Sequence, residues 1–88
     1  MDEDLETRRK RLIFRSCYTG MKETDLLLGP FAKRYLPEFT PAQLDAYEAL
    51  LETNEDPQIY AWAIGRTPVP APYDTEVMKL LQSFTISR

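Results

Sequence analysis

Histidine is absent from this 88-residue chain, and cysteine occurs once, as Cys17. The first absence removes the commonest general base and the commonest metal ligand. A single thiol excludes an intramolecular disulfide and a thiolate metal cluster. Glycine is scarce as well, and nothing has the form of a glycine-rich phosphate loop following a strand. The chain has no apolar run near the roughly 20 residues that span a bilayer. Its opening, MDEDLE, is acidic where a signal or transit peptide would be basic. A lone cysteine without a disulfide framework fits a reducing compartment. These absences predict a cytoplasmic protein with no membrane insertion. The carboxylates are spread over several segments without visible pairing, so no acid–base site is nominated either.

What is present describes a folded chain. The hydrophobic fraction is 43% and the charged fraction 28%, which is ordinary for a globular protein and places residues 1–88 in one small domain. Helical periodicity runs from about Leu5 to Tyr18, with Leu5, Leu12, Ile13, Ser16 and Cys17 on one side. Cys17 reads as a small buried hydrophobe. The acidic segment 1–7 before this pattern is expected to fray. The next segment, KETDLLLGPFAKRYL, carries Leu28, Phe31, Ala32, Tyr35 and Leu36 on its core face with Leu27 beside it. Pro30 within it predicts a kink or two shorter helices.

The third segment has the clearest start: Thr40 as N-cap, Pro41 at the first position, Gln43 to complete a capping box, and Phe39 with Leu44 as a hydrophobic staple. Leu44, Tyr47, Leu50 and Leu51 form its buried face. Asp56 and Pro57 start a short fourth helix that Gly65 closes, with Tyr60 and Trp62 read as core aromatics. Residues 66–73 are proline-rich and read as an extended connector. Asp74 or Thr75 then caps a last helix to about Phe84, with Val77, Leu80, Leu81 and Phe84 inward. With no strand pattern and no repeat, the fold class is all-α, a compact bundle of five short helices.

Two features remain. Arg8, Arg11 and Arg15 recur at three- and four-residue spacing and form a basic stripe on the first helix. The stripe leads to SCYTGMKETD, the junction between the first two helices. Gly20 can end one helix and Glu23 can favour the positive end of the next, but neither role accounts for Met21 or the stripe. A glycine permits close approach and a methionine is an adaptable apolar contact, so the junction reads as a docking loop. Tyr18, Thr19, Gly20, Met21, Glu23 and Asp25 are its candidate partner-binding residues, together with the three arginines. Nucleic-acid binding is disfavoured by the net charge of −3 and by the acidic Asp45, Glu48 and Glu52 on the third helix.

Three blocks, RRKRLIFRSCYTGMKETDLLLGPFAKRYL, LDAYEALLETNEDPQIYAWAIGR and YDTEVMKLL, stand in an order and spacing that resemble the succinate dehydrogenase assembly factors that promote flavin attachment. The resemblance runs from about Arg9 to Phe84. It implies a small five-helix fold with an arginine-glycine-x-x-glutamate loop between the first two helices. Gly20 and Glu23 match that loop, whereas Thr19 stands at its arginine position. Arg15, one turn earlier, is expected to supply the positive charge that Thr19 lacks. The resemblance further implies an accessory protein, monomeric when free and not itself an enzyme. Its partner would be the flavoprotein subunit of succinate dehydrogenase or of the related fumarate reductase, and the FAD would belong to that partner, with no cofactor held stably by the chain. The runner-up is a generic helical adaptor with another partner, followed by a nucleic-acid-binding regulator and, last, an enzyme in its own right.

Overall fold

Three of the helices begin where a side chain caps them. Asp4 accepts the Thr7 N–H at 2.7 Å and opens α1, Leu5–Cys17. Thr40 and Gln43 form the reciprocal capping box of α3, Pro41–Leu51. The Thr75 hydroxyl accepts the Met78 N–H at 3.3 Å and opens α5, Glu76–Ile86. Between them lie α2, Lys22–Tyr35, and α4, Asp56–Ala63. Short 3-10 turns cover Leu36–Glu38 and Ala71–Tyr73. The computed structural model describes residues 3–53 and 56–86, with the backbone alone at 56 and 86, and among the described residues there is no strand. The cap expected from the Asp56 side chain lies outside the described side chains.

Of the segment 1–7 expected to fray, residues 1 and 2 lie outside the described residues; α1 is helical from Leu5, where the Asp4 cap satisfies one of the free N–H groups of its first turn. The alternative of two shorter helices around Pro30 is likewise replaced by one continuous α2. An internal proline costs a helix about 3 kcal/mol. Here the residues around it more than offset that cost: Leu27, Leu28, Phe31 and Ala32 are all buried while Pro30 itself is exposed. Phe31 is the hub of the core, with its ring within 5.1–6.3 Å of the Tyr35, Tyr47, Phe84 and Phe39 rings.

Gly65, at φ +78°, closes α4. Its N–H donates to Trp62 O at 3.2 Å and the Arg66 N–H to Ala61 O at 2.8 Å, the paired bonds of a Schellman cap. The connector after it is less extended than its prolines suggested. The Ala71–Tyr73 turn folds it back so that Tyr73 stacks on Trp62 at 5.6 Å.

α1 is held to α3 by a buried polar contact. The Ser16 hydroxyl donates to Leu12 O at 2.7 Å and shares a hydrogen bond with the fully buried Tyr47 hydroxyl. Burial pushes the Tyr47 phenol well above its usual pKa despite that hydrogen bond, so it stays neutral. α1 meets α2 at Gly29, where a Cβ would come within 3.3 Å of Cys17 Sγ. Cys17 is half-buried at this contact, less enclosed than the sequence implied.

Candidate functional site

The basic stripe on α1 is engaged within the chain, although Arg11 stays exposed. Arg8 donates to Asp45 at 2.6 Å and to Glu48 at 2.8 Å, and Arg11 donates to Glu48 at 2.8 Å and to Glu3 at 2.6 Å. Partial burial raises the pKa of Glu48, but the hydrogen bonds from Arg8 and then Arg11 outweigh it and hold the carboxyl below its usual value. Arg15 donates to Leu51 O at 2.9 Å, at the C-terminal turn of α3, where a cation is favoured by the helix dipole. The three arginines therefore track α3 along its length. The arginines expected to form a docking face thus clamp α1 to α3 within the chain, and two of the acids that spoke against DNA binding, Asp45 and Glu48, are among the groups that receive Arg8 and Arg11. Arg15, expected to stand in for a loop arginine, is engaged with the end of α3.

The junction itself is built by Thr19 and Asp25. The Thr19 N–H donates to the Asp25 carboxylate at 2.6 Å, and its hydroxyl donates to the same oxygen. Asp25, expected among the partner-binding residues, is half-buried in this fold-back and accepts from Thr19. With Thr19 turned onto α2, the chain passes through Gly20 at φ +102°, a conformation costly to other residues. Gly20 is exposed, and nothing lies within 4 Å of the position a Cβ would take. The glycine is thus demanded by the backbone turn, and it leaves open space in front of it. Met21 follows as the half-buried residue before α2, and Glu23 is exposed in the first turn.

Two apolar grooves flank this loop. One, of about 410 Å³, is lined by Glu23, Leu26, Leu27, Tyr60, Ile64 and Thr85. The other, of about 350 Å³, is lined by Lys10, Ile13, Phe14, Cys17, Tyr18 and Lys33. Phe14 and Tyr18 are 68% and 69% exposed and pack on each other with ring centroids 4.8 Å apart. Of the residues singled out from sequence, the structure gathers Tyr18, Gly20, Met21 and Glu23 at the loop and its rims, and commits Arg8, Arg11, Arg15, Thr19 and Asp25 to internal contacts. Phe14, Leu26 and Ile64 were not singled out as surface residues. Phe14 did carry a signal: it lies four residues before Tyr18, off the apolar face of α1. Among the described residues no cluster of acids or cysteine could hold a metal ion, and no helix is long and apolar enough to cross a membrane.

The family Sdh5, described as flavinator of succinate dehydrogenase, matches residues 10–85. Over 82 residues the chain is 48% identical to a Drosophila mojavensis protein named succinate dehydrogenase assembly factor 2-B, mitochondrial, which covers 92% of this chain and 52% of that relative. Assembly factors 2-A of Drosophila mojavensis and Drosophila persimilis are each 45% identical over 82 residues, covering 92% of this chain and 52% and 51% of theirs. The chain spans about half the length of the curated relatives it matches. Their names, which read mitochondrial, overturn the expected cytoplasmic location. That expectation leaned on the acidic opening, but Asp4 is acidic because it caps α1, and a cap reports on a helix rather than on a destination. The match runs from the middle of α1 into the last turn of α5 and takes in every loop and groove described above, so the chain belongs to the flavinator of succinate dehydrogenase family.

Proposed function

We propose that this chain binds the flavoprotein subunit of succinate dehydrogenase and promotes covalent attachment of FAD to it, acting as an accessory protein and not as the enzyme. The family match supports this reading of the partner, and the exposed Gly20 turn is the observation that carries the choice of docking loop. A backbone at φ +102° with no side chain in front of it lets a partner's main chain come close. Tyr18, Met21 and Glu23 surround that point with an aromatic ring, a pliable apolar side chain and a carboxylate. The flavin and the histidine that accepts it belong to the partner, and the helper, monomeric when free, holds no cofactor of its own. Its contribution is orientation. Holding reacting groups in near-attack geometry lowers a barrier by about 7–11 kcal/mol in well-aligned cases, with no catalytic group on the helper. The related fumarate reductase subunit is a second candidate partner of the same chemistry.

The experiment is to express the flavoprotein subunit with and without this chain, denature it, and measure flavin that stays with the polypeptide. Covalent flavin should rise with the chain and fall to the background level with Gly20→Arg, which places a long side chain in the docking space. Gly20→Ala carries similar backbone strain without the bulk and should retain most of the effect. Equal loss in both variants, or covalent flavin that is unchanged by the wild-type chain, would overturn the assignment.

A further inference from the structure

We propose that the groove lined by Phe14, Tyr18, Lys10 and Lys33 is a second docking surface, which takes an acidic segment with an apolar anchor from the flavoprotein partner. The inference rests on the function proposed above and extends it to a surface that meets the Gly20 loop at Tyr18 and runs away from it along α1 and α2. Two aromatic rings more than two-thirds exposed, packed on each other at a tilt and spaced i, i+4, are unusual on a chain this short, where apolar area is needed inside. They border a groove of about 350 Å³ whose other lining residues are Ile13 and Cys17, both half-buried. This gives an apolar floor with room for a side chain.

Charge selects the occupant. Lys10 comes from α1 and Lys33 from α2, and among the described residues no carboxylate lines the groove. Elsewhere on α1 the cations Arg8 and Arg11 are matched by Asp45, Glu48 and Glu3, whereas at this groove Lys10, with the exposed Asp4 as an acidic neighbour at the start of α1, and Lys33 offer positive charge to a partner. The groove on the other side of the loop has the opposite rim, with Glu23 as its charged lining residue among the described residues. An acidic segment is therefore steered to the lysine-rimmed groove and away from its neighbour. Tyr18 immediately precedes the Thr19–Gly20 turn, so a partner seated on the loop passes directly onto this groove.

The test titrates purified flavoprotein subunit with the wild-type chain, Lys10→Glu/Lys33→Glu, Phe14→Ser/Tyr18→Ser and Gly20→Arg at two salt concentrations, with sedimentation of each free chain alongside. All four replaced groove side chains are at the surface, so helical circular dichroism should be kept. The lysine reversal should weaken binding by about tenfold at low salt and flatten its salt dependence. The aromatic pair should weaken it by a similar factor with the salt dependence retained. If Gly20→Arg abolishes binding while both groove variants stay within about twofold of wild type, the groove proposal fails and the loop reading stands. If the wild-type chain does not bind at all, both fail. If the free chain dimerises, the lysine reversal removes the dimer, and flavoprotein affinity is unchanged, the groove is a contact between copies and the proposal is overturned.

Discussion

The two faces of α1 carry opposite kinds of residue and have opposite fates. The arginine face, conspicuous in sequence, is closed: Arg8, Arg11 and Arg15 are taken up by acids and a terminal carbonyl of α3. The aromatic face, whose residues would ordinarily be assigned to a core, is open, with Phe14 and Tyr18 more than two-thirds exposed. The difference teaches that a run of charge is informative about partners only once its intramolecular counter-charges are known. An aromatic outside the apolar period of its helix is the better pointer to a surface.

The comparison breaks most visibly at the closed face. Ser16→Ala leaves the buried Tyr47 hydroxyl without its partner and should cost about 1–3 kcal/mol by urea unfolding. Tyr47→Phe should cost less, because Ser16 keeps its bond to Leu12 O. The reverse order would mean that the hydroxyl pair is not what fixes α1 on α3.

Glu48→Gln removes the charge shared by Arg8 and Arg11 and should destabilise by about 1 kcal/mol at neutral pH while leaving flavoprotein affinity unchanged. The folded-state pKa of Glu48 lies below its unfolded value. Its contribution is therefore fully present above the unfolded carboxylate pKa of about 4.3 and is lost as pH falls through the folded pKa. The gap in unfolding free energy between wild type and variant should accordingly close on acidification. A fall in affinity with stability intact would return the arginines to the docking surface.

The smallest effect belongs to the open face. Phe14→Ser should change stability by no more than about 0.5 kcal/mol, since the ring is largely hydrated in the folded chain. A loss of about 2 kcal/mol in thermal or urea unfolding would mean that Phe14 packs as core and that the two faces do not differ.

Much of the bundle was legible in the residues. The Thr40–Gln43 box, the Gly65 stop, the Thr75 cap and the buried set Leu44, Tyr47, Leu50 and Leu51 all stand where local chemistry put them, because caps and apolar periods act within one or two turns. Pro30 misled in one respect, since its local cost is outweighed by Phe31 packing against residues far away in sequence. The turn between α1 and α2 was legible at Gly20, whose tolerance of a positive φ is a property of the residue. Thr19 and Asp25 were less so, because their fold-back depends on how the turn closes. The internal engagement of the arginine stripe was not legible, because the counter-charges of Arg8 and Arg11 on α3 lie 37 and 40 residues away.

By itself, the sequence determined where the helices start and stop, which face of each is apolar, and that a glycine turn joins α1 to α2. Capping, periodicity and backbone preference are short-range, so they can be read from neighbours in the chain. Tertiary structure alone decided which charges are spent internally and which apolar side chains are left in water. Those outcomes depend on which surfaces meet when α1 lies across α3 and against α2, and no local pattern specifies that meeting.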